Sequence, residues 1–142
     1  MCNSQQHINP SNEQVKRILQ KYKKVAVVGV SPDPSRPSHG VARYLQSNGF
    51  RIIPVNPNER EILGQKAYPD LSSIPEKVEI VEIFRKPEHV PPIVDQAIKI
   101  GAKVVWLQEG VINHPATIKA SRNGLTVIMD RCMAKECSAL CE

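Results

Sequence analysis

Apolar positions along this 142-residue chain fall into two alternating kinds of run. An unbroken block of β-branched and small apolar residues occupies 25–30 and suits a strand covered on both faces, and stretches rich in aliphatic residues at 50–55, 78–84, 104–107 and 125–129 read as further strands. Between them, apolar residues recur at helical spacing. Val15, Ile18, Leu19 and Tyr22 share one face of a helix over 11–22. Val41, Tyr44 and Leu45 mark a second helix, with Ser38 able to cap its start and Asn48-Gly49 signalling its end. A third helix starts near Glu88 to Val90, because Pro91 and Pro92 are tolerated only in a first turn, and Gly101 ends it. A fourth spans 115–122, stopped at Asn123-Gly124, and a closing helix runs from Ala134. Residues 58–75 read as loop, with a short strand around 66–68.

Strands and helices alternating at this spacing predict an α/β fold: a Rossmann-like doubly wound parallel sheet in three layers, α/β/α, with an extra N-terminal helix. The expected strand order is 3-2-1-4-5. Residues 1–10 are polar and read as a flexible N-terminus, leaving 11–142 as a single domain.

The organising stretch is 25–41. After the first strand, three prolines, three serines and Arg36 force a turn, and a helix start follows. Strand, polar turn and helix N-terminus can bind phosphate, because backbone N–H groups and the helix dipole point into the turn and Arg36 adds a fork of donors. Such segments also occur without a ligand, so phosphate binding and plain turn formation both stay open here. The G-x-G-x-x-G dinucleotide fingerprint is absent, since Gly29 is followed by Val30, Ser31 and Pro32.

In sheets of this kind ligands sit beyond the carboxyl ends of the strands. There stand residues 31–38, Asn56-Pro57, Phe84-Arg85, Gln108-Glu109-Gly110 and Asp130-Arg131-Cys132. Arg85 and Arg131 could join Arg36 around a multiply charged anion, or serve in ordinary surface ion pairs. The second strand closes on Asn56-Pro57 rather than on the acid that an NAD ribose needs, whereas NADP and coenzyme A both tolerate that absence.

Composition trims the alternatives. The net charge of +5 is concentrated at Lys16, Arg17, Lys21, Lys23 and Lys24, which reads as a solvated helix face. Scattered aromatics give no stacking platform for nucleic acid. No apolar run is long enough to span a membrane and no secretory signal is visible, so a cytoplasmic protein is expected. Cys2, Cys132, Cys137 and Cys141 form no C-x-x-C pair; zinc has poor support, and reduced thiols are expected unless a hyperthermophilic cytosol allows a Cys137–Cys141 bridge. Cys132 reads as a buried, inert thiol, with reaction toward a ligand thiol as the alternative. His7, His39, His89 and His114 read as cap or surface residues, and no nucleophile, acid–base or metal constellation stands out.

The chain resembles the single-domain CoA-binding proteins, related in fold to the CoA-binding domain of the succinyl-CoA synthetase α-subunit. The matching residues are Val28-Gly29-Val30-Ser31 with Pro34, Arg36 and Ser38, then Tyr44-Leu45 and Gly49-Phe50. They continue through residues 53–57, 61–64, Phe84-Arg85, 101–108 and 129–133. The resemblance covers residues 25–136 and implies that Gly29, Val30, Ser31, Arg36 and Ser38 surround the phosphates. It implies that Asn56, Pro57, Phe84, Arg85, Gln108, Glu109 and Gly110 line the remaining edge. Glu79 and Glu82 stand where the family usually has Asp, and both are expected at exposed or edge positions. The synthetase relative works through a phosphorylated histidine in a second domain, for which this chain is too short. The expectation is therefore a stand-alone CoA or acyl-CoA binding, carrier or regulatory module with no evident catalysis. The alternatives are an NADP-linked oxidoreductase on the same scaffold and a nucleotide-free interaction protein.

Overall fold

A computed structural model describes residues 6–140. Helix α1 (Asn12–Lys21) opens with a capping box, in which Ser11 and Gln14 satisfy each other's backbone N–H groups, and it buries Val15 and Leu19. It leads into β1 (Lys24–Val28), α2 (Pro37–Ser47) and β2 (Arg51–Val55). A two-stranded hairpin, β3 (Glu61–Ile62) and β4 (Gln65–Lys66), precedes β5 (Ile80–Ile83). The chain then alternates α3 (Val90–Lys99), β6 (Val104–Leu107), α4 (His114–Arg122), β7 (Thr126–Ile128) and α5 (Met133–Leu140).

Five strands form one parallel sheet in the order β2-β1-β5-β6-β7. The α/β expectation holds, with helices on both sides. One cluster packs Val90, Val94 and Ala97 of α3 and Ala116 and Ala120 of α4 against Ala26, Val28, Val81, Ile83, Val105 and Leu107. The other packs Val15 and Leu19 of α1, Ala42 and Leu45 of α2, and Met133 and Cys137 of α5 against Val25, Val27, Ile80, Val104 and Trp106. Successive strand residues alternate between the two clusters, as the pleat requires.

The expected order 3-2-1-4-5 needs correction. The stretch expected as a strand around 66–68 supplies only a single parallel bridge, from Tyr68 to Val55 on the outer side of β2. Its neighbours instead fold into the small antiparallel hairpin β3–β4, turned by Leu63 and Gly64, both at positive φ. Counting the five true strands in chain order gives 2-1-3-4-5, and the order still reverses beside β1. That reversal leaves a crevice at the carboxyl ends of β1 and β5, because their connections leave in opposite directions.

The first strand ends earlier than its apolar run. Gly29 already has φ +88, and a Cβ there would lie 2.5 Å from the Phe84 carbonyl oxygen, so only glycine lets the chain leave β1 against β5. The N-terminal stretch also makes fixed contacts at its end. The Asn9 side-chain amide donates to Met129 O and accepts from Met129 N, both at 2.8 Å, covering the end of edge strand β7.

Candidate functional site

The residues after β1, β5 and β6 converge on one cleft of about 560 Å³ at the carboxyl edge of the sheet. The turn after β1 contributes Gly29 and Ser31, the start of α2 contributes Arg36, Pro37 and Ser38, β5 ends in Phe84, Arg85 and Lys86, and β6 ends in Gln108, Glu109 and Gly110.

The β1–α2 turn is held internally. Ser31 Oγ accepts from Asp33 N at 3.0 Å, and Asp33 Oδ1 accepts from Ser35 N at 2.9 Å, an Asx turn. The Ser35 N–H holds the Asp33 carboxyl below its ordinary value. Ser38 does not cap the helix as expected. The helix starts one residue earlier, at Pro37, and Ser38 is buried, its Oγ accepting from Ser31 N at 2.9 Å. Pro at the first helical position has no N–H to satisfy, and Arg36 at the N-cap makes no side-chain cap bond. The positive end of an 11-residue helix thus opens beside the cleft without a side-chain cap.

Three cations line the cleft: Arg36, Arg85 and Lys86. The carboxylate there, Glu109, is tied to Lys135 at 3.1 Å. Asp130, at φ +63, accepts from Gly110 N at 2.7 Å and fixes the turn after β6. A smaller slot of about 140 Å³ is lined by Val55, Pro57, Asp70, Ile93 and Gln96, and Arg85 borders both spaces.

Of the residues singled out from sequence, Gly29, Ser31, Arg36, Ser38, Phe84, Arg85, Gln108, Glu109 and Gly110 come together. The others are placed differently. Val30 is fully buried in the core, where its carbonyl accepts from Asn56 Nδ2 at 3.0 Å. Asn56 therefore ties the β1 turn to the end of β2, and Pro57 lines the smaller slot. Arg131 is exposed but does not line the cleft; its carbonyl accepts from Trp106 Nε1 at 3.0 Å. Lys86 and Val111, which line it, went unnoticed in the sequence, although Lys86 directly follows the Phe84-Arg85 pair.

Two expectations about polar residues fail. His39 is buried in the first turn of α2, not a surface residue, because that turn packs against the sheet. Glu82 is not at an edge: it is completely buried in the sheet between Val27 and Trp106, and burial pushes its carboxyl up to about 8. Glu79 is half-buried at the other end of β5, where it accepts from the backbone N–H groups of Lys23 and Lys24.

Cys132 is buried with a free thiol, and Cys137 is buried; Cys2 and Cys141 lie outside the described residues, so the Cys137–Cys141 bridge does too. Among the described residues no cluster of His, Cys, Asp and Glu could hold a metal ion. No helix of the described residues is long and apolar enough to cross a membrane.

Comparison with known proteins adds to this geometry. The chain is 42% identical to Uncharacterized protein YneT of Bacillus subtilis over 125 residues, 88% of this chain and 93% of that protein. It is 44% identical to a hypothetical protein from Pyrococcus horikoshii whose solved structure superposes with a TM-score of 0.91, covering 94% of each chain. Over 57% of its length it is 36% identical to Acetate--CoA ligase (ADP-forming) II of Archaeoglobus fulgidus, of which it spans only 12%. Residues 23–138 match the family described as CoA binding domain, and to that family this chain belongs.

Proposed function

We propose that the protein binds coenzyme A in the cleft at the carboxyl edge of its sheet, as a binding, carrier or regulatory module with no reaction of its own. The α2 N-terminus, beside Arg36, Arg85 and Lys86, carries this reading. A diphosphate carries two charges, and a ribose phosphate adds a third site of charge; a helix dipole with two arginines and a lysine complements that count. The relatives whose printed names include a CoA ligase activity extend well beyond this chain, so their likeness supports binding rather than ligation. Arg36, Ser31 and Ser38 would hold the diphosphate, Arg85 and Lys86 the ribose phosphate, and Gln108 to Gly110 the arm leading to the thiol. The same reading places the protein in the cytoplasm, where CoA and its thioesters circulate.

Thermal shift across CoA, acetyl-CoA, dephospho-CoA, NAD and NADP tests this. A ligand present at about a hundred times its dissociation constant adds roughly 2.7 kcal/mol, which is on the order of 5 to 10 °C for a domain of this size. CoA is expected to give that shift, dephospho-CoA less and NAD none. Equal shifts for NAD and CoA overturn the assignment, and a response to NADP alone turns it toward a hydride-transfer enzyme.

A further inference from the structure

Three buried side-chain oxygens lack a hydrogen-bond partner among the described residues: Glu82 Oε1, Glu82 Oε2 and Gln108 Oε1. They belong to neighbouring strands. Glu82 stands opposite Trp106, and Gln108 N donates to Ile83 O at 3.3 Å, which carries the β5–β6 ladder one step past Leu107. Gln108 therefore stands two residues beyond Trp106, on the sheet face that Glu82 occupies and diagonally across from it. With parallel strands about 4.8 Å apart and a rise of about 3.3 Å per residue, diagonal neighbours of this kind lie about 8 Å apart, within reach of two long side chains. Glu82 is 0% exposed and Gln108 9%, yet Gln108 lines the cleft. One end of this pair is sealed in the core and the other meets the site.

All three orphaned oxygens are acceptors when Glu82 is ionised, and the Gln108 amide can then meet the carboxylate only by turning its Nε2 toward the core and away from the cleft. One proton changes that. A neutral Glu82 has an O–H to donate, Gln108 Oε1 accepts it, and the two Nε2 hydrogens are left for the cleft. The indole opposite Glu82 does not supply the missing donor, because Trp106 Nε1 already serves the Arg131 carbonyl at 3.0 Å. The ionisable groups buried or packed on this side of the sheet are Tyr22 just after α1, His39 and Tyr44 of α2, and Cys132 and Cys137 at α5, while Glu13, Lys16, Arg17, Lys21, Arg43 and Lys135 of the same helices are exposed and Glu136 is half-buried. Arg36, Arg85, Lys86 and Glu109 stand in the cleft. None of these charges offsets the burial of Glu82, whose shift comes from desolvation alone.

We propose that Glu82 is a positioning residue for the cleft: carried as the neutral acid, it donates to Gln108 Oε1 and turns that amide so its N–H groups meet an acceptor oxygen of the ligand. Occupancy of the cleft is thereby coupled to one proton held in the core. The identity of the ligand rests on the CoA reading, but the Glu82–Gln108 pairing does not.

The test uses the full chain and two readouts. In ¹⁵N-labelled protein without ligand, the Gln108 side-chain amide resonance is followed between about pH 6 and pH 9.5, across the range where a carboxyl raised this far ionises. It is expected to move with a midpoint near 8 in the parent and to stay still in Glu82→Gln, whose amide donates at every pH. Calorimetric titration with CoA over the same range supplies the second readout. The parent's dissociation constant is expected to rise roughly tenfold through that midpoint, the loss of about one hydrogen bond. Glu82→Gln holds the low-pH value once the ligand's own ionisations, common to both proteins, cancel, and Glu82→Leu binds weakly throughout. A Gln108 resonance that is pH-independent, or that moves alike in Glu82→Gln, overturns the pairing. A titrating resonance with identical CoA profiles in the two proteins overturns the coupling to the cleft. Absence of CoA binding in every protein overturns the cleft role together with the CoA reading, and the resonance separates that outcome from a failed pairing.

Discussion

The two faces of the sheet are built to different standards. The face under α3 and α4 is built mainly from aliphatic residues, Ala26, Val28, Val81, Ile83, Val105 and Leu107 among them, and its fully buried polar side chain, Thr117 of α4, donates to His114 O at 2.9 Å within its own helix. The face under α1, α2 and α5 has the same aliphatic ground plan, but Glu82 lies at its centre, with Ser38 and His39 buried on α2 and Gln108 at its upper margin. The difference follows the cleft, whose wall includes Ser38 and Gln108. One face supplies stability. The other gives up part of it to hold polar groups beneath the site, since a buried carboxyl must stay neutral or be paired.

Substitution of Glu82 is the sharpest way to test that contrast. Its carboxyl is raised from about 4.5 to about 8, so between those values the folded protein binds a proton that the unfolded chain lacks, and stability falls as pH rises. The difference between Glu82→Gln and the parent is expected to be near zero at about pH 4. It then grows by about 1.4 kcal/mol per pH unit and levels above about pH 8, with about 5 kcal/mol as the upper bound. Urea unfolding across pH measures this, and a constant offset at all pH values contradicts it.

On the opposite face, Leu107→Ala is expected to cost about 3 kcal/mol through lost burial and a residual cavity, with no dependence on pH in the difference from the parent. A pH-dependent loss there erases the distinction between the faces. Where the faces meet the cleft, Gly29→Ala places a Cβ against the Phe84 carbonyl at positive φ, and about 2 kcal/mol of destabilisation is expected. The same change should reduce the thermal response to CoA more than its stability loss explains, because the turn above it must shift.

A contact outside both faces gives the baseline. Asn9→Ala removes both bonds to Met129, and a loss of about 1 kcal/mol is expected, with faster hydrogen exchange confined to the end of β7. The smallest effect on stability belongs to Arg36→Ala, under about 0.5 kcal/mol for an exposed side chain that caps nothing. Its response to CoA is nevertheless expected to fall markedly, and a response equal to the parent's removes Arg36 from the site.

The sequence by itself determined the element order, the α/β class and the loops that gather at the carboxyl edge. Those follow from local rules: aliphatic blocks make covered strands, Pro and Gly end elements, and every parallel strand delivers its next loop to the same edge. Nine of the residues named from the chain alone accordingly share one cleft. Non-local pairing set the rest. The stretch around Tyr68 looked like a strand because its residues favour one, but β2 offered it only the single bridge at Val55. Ser38 fits a cap by type, yet Pro37 starts the helix one residue earlier and leaves the hydroxyl to Ser31. Glu79 and Glu82 look alike in the chain, each set among aliphatic residues of one strand. Three residues apart, they point to opposite faces of the pleat, and Glu79 sits where the strand meets backbone donors at its start. Glu82 sits between Val27 and Trp106, with a helix layer above. A strand covered on both faces has no polar side by which to recognise an inward-pointing acid, so only the register with its neighbours could show that this carboxyl lies in the core.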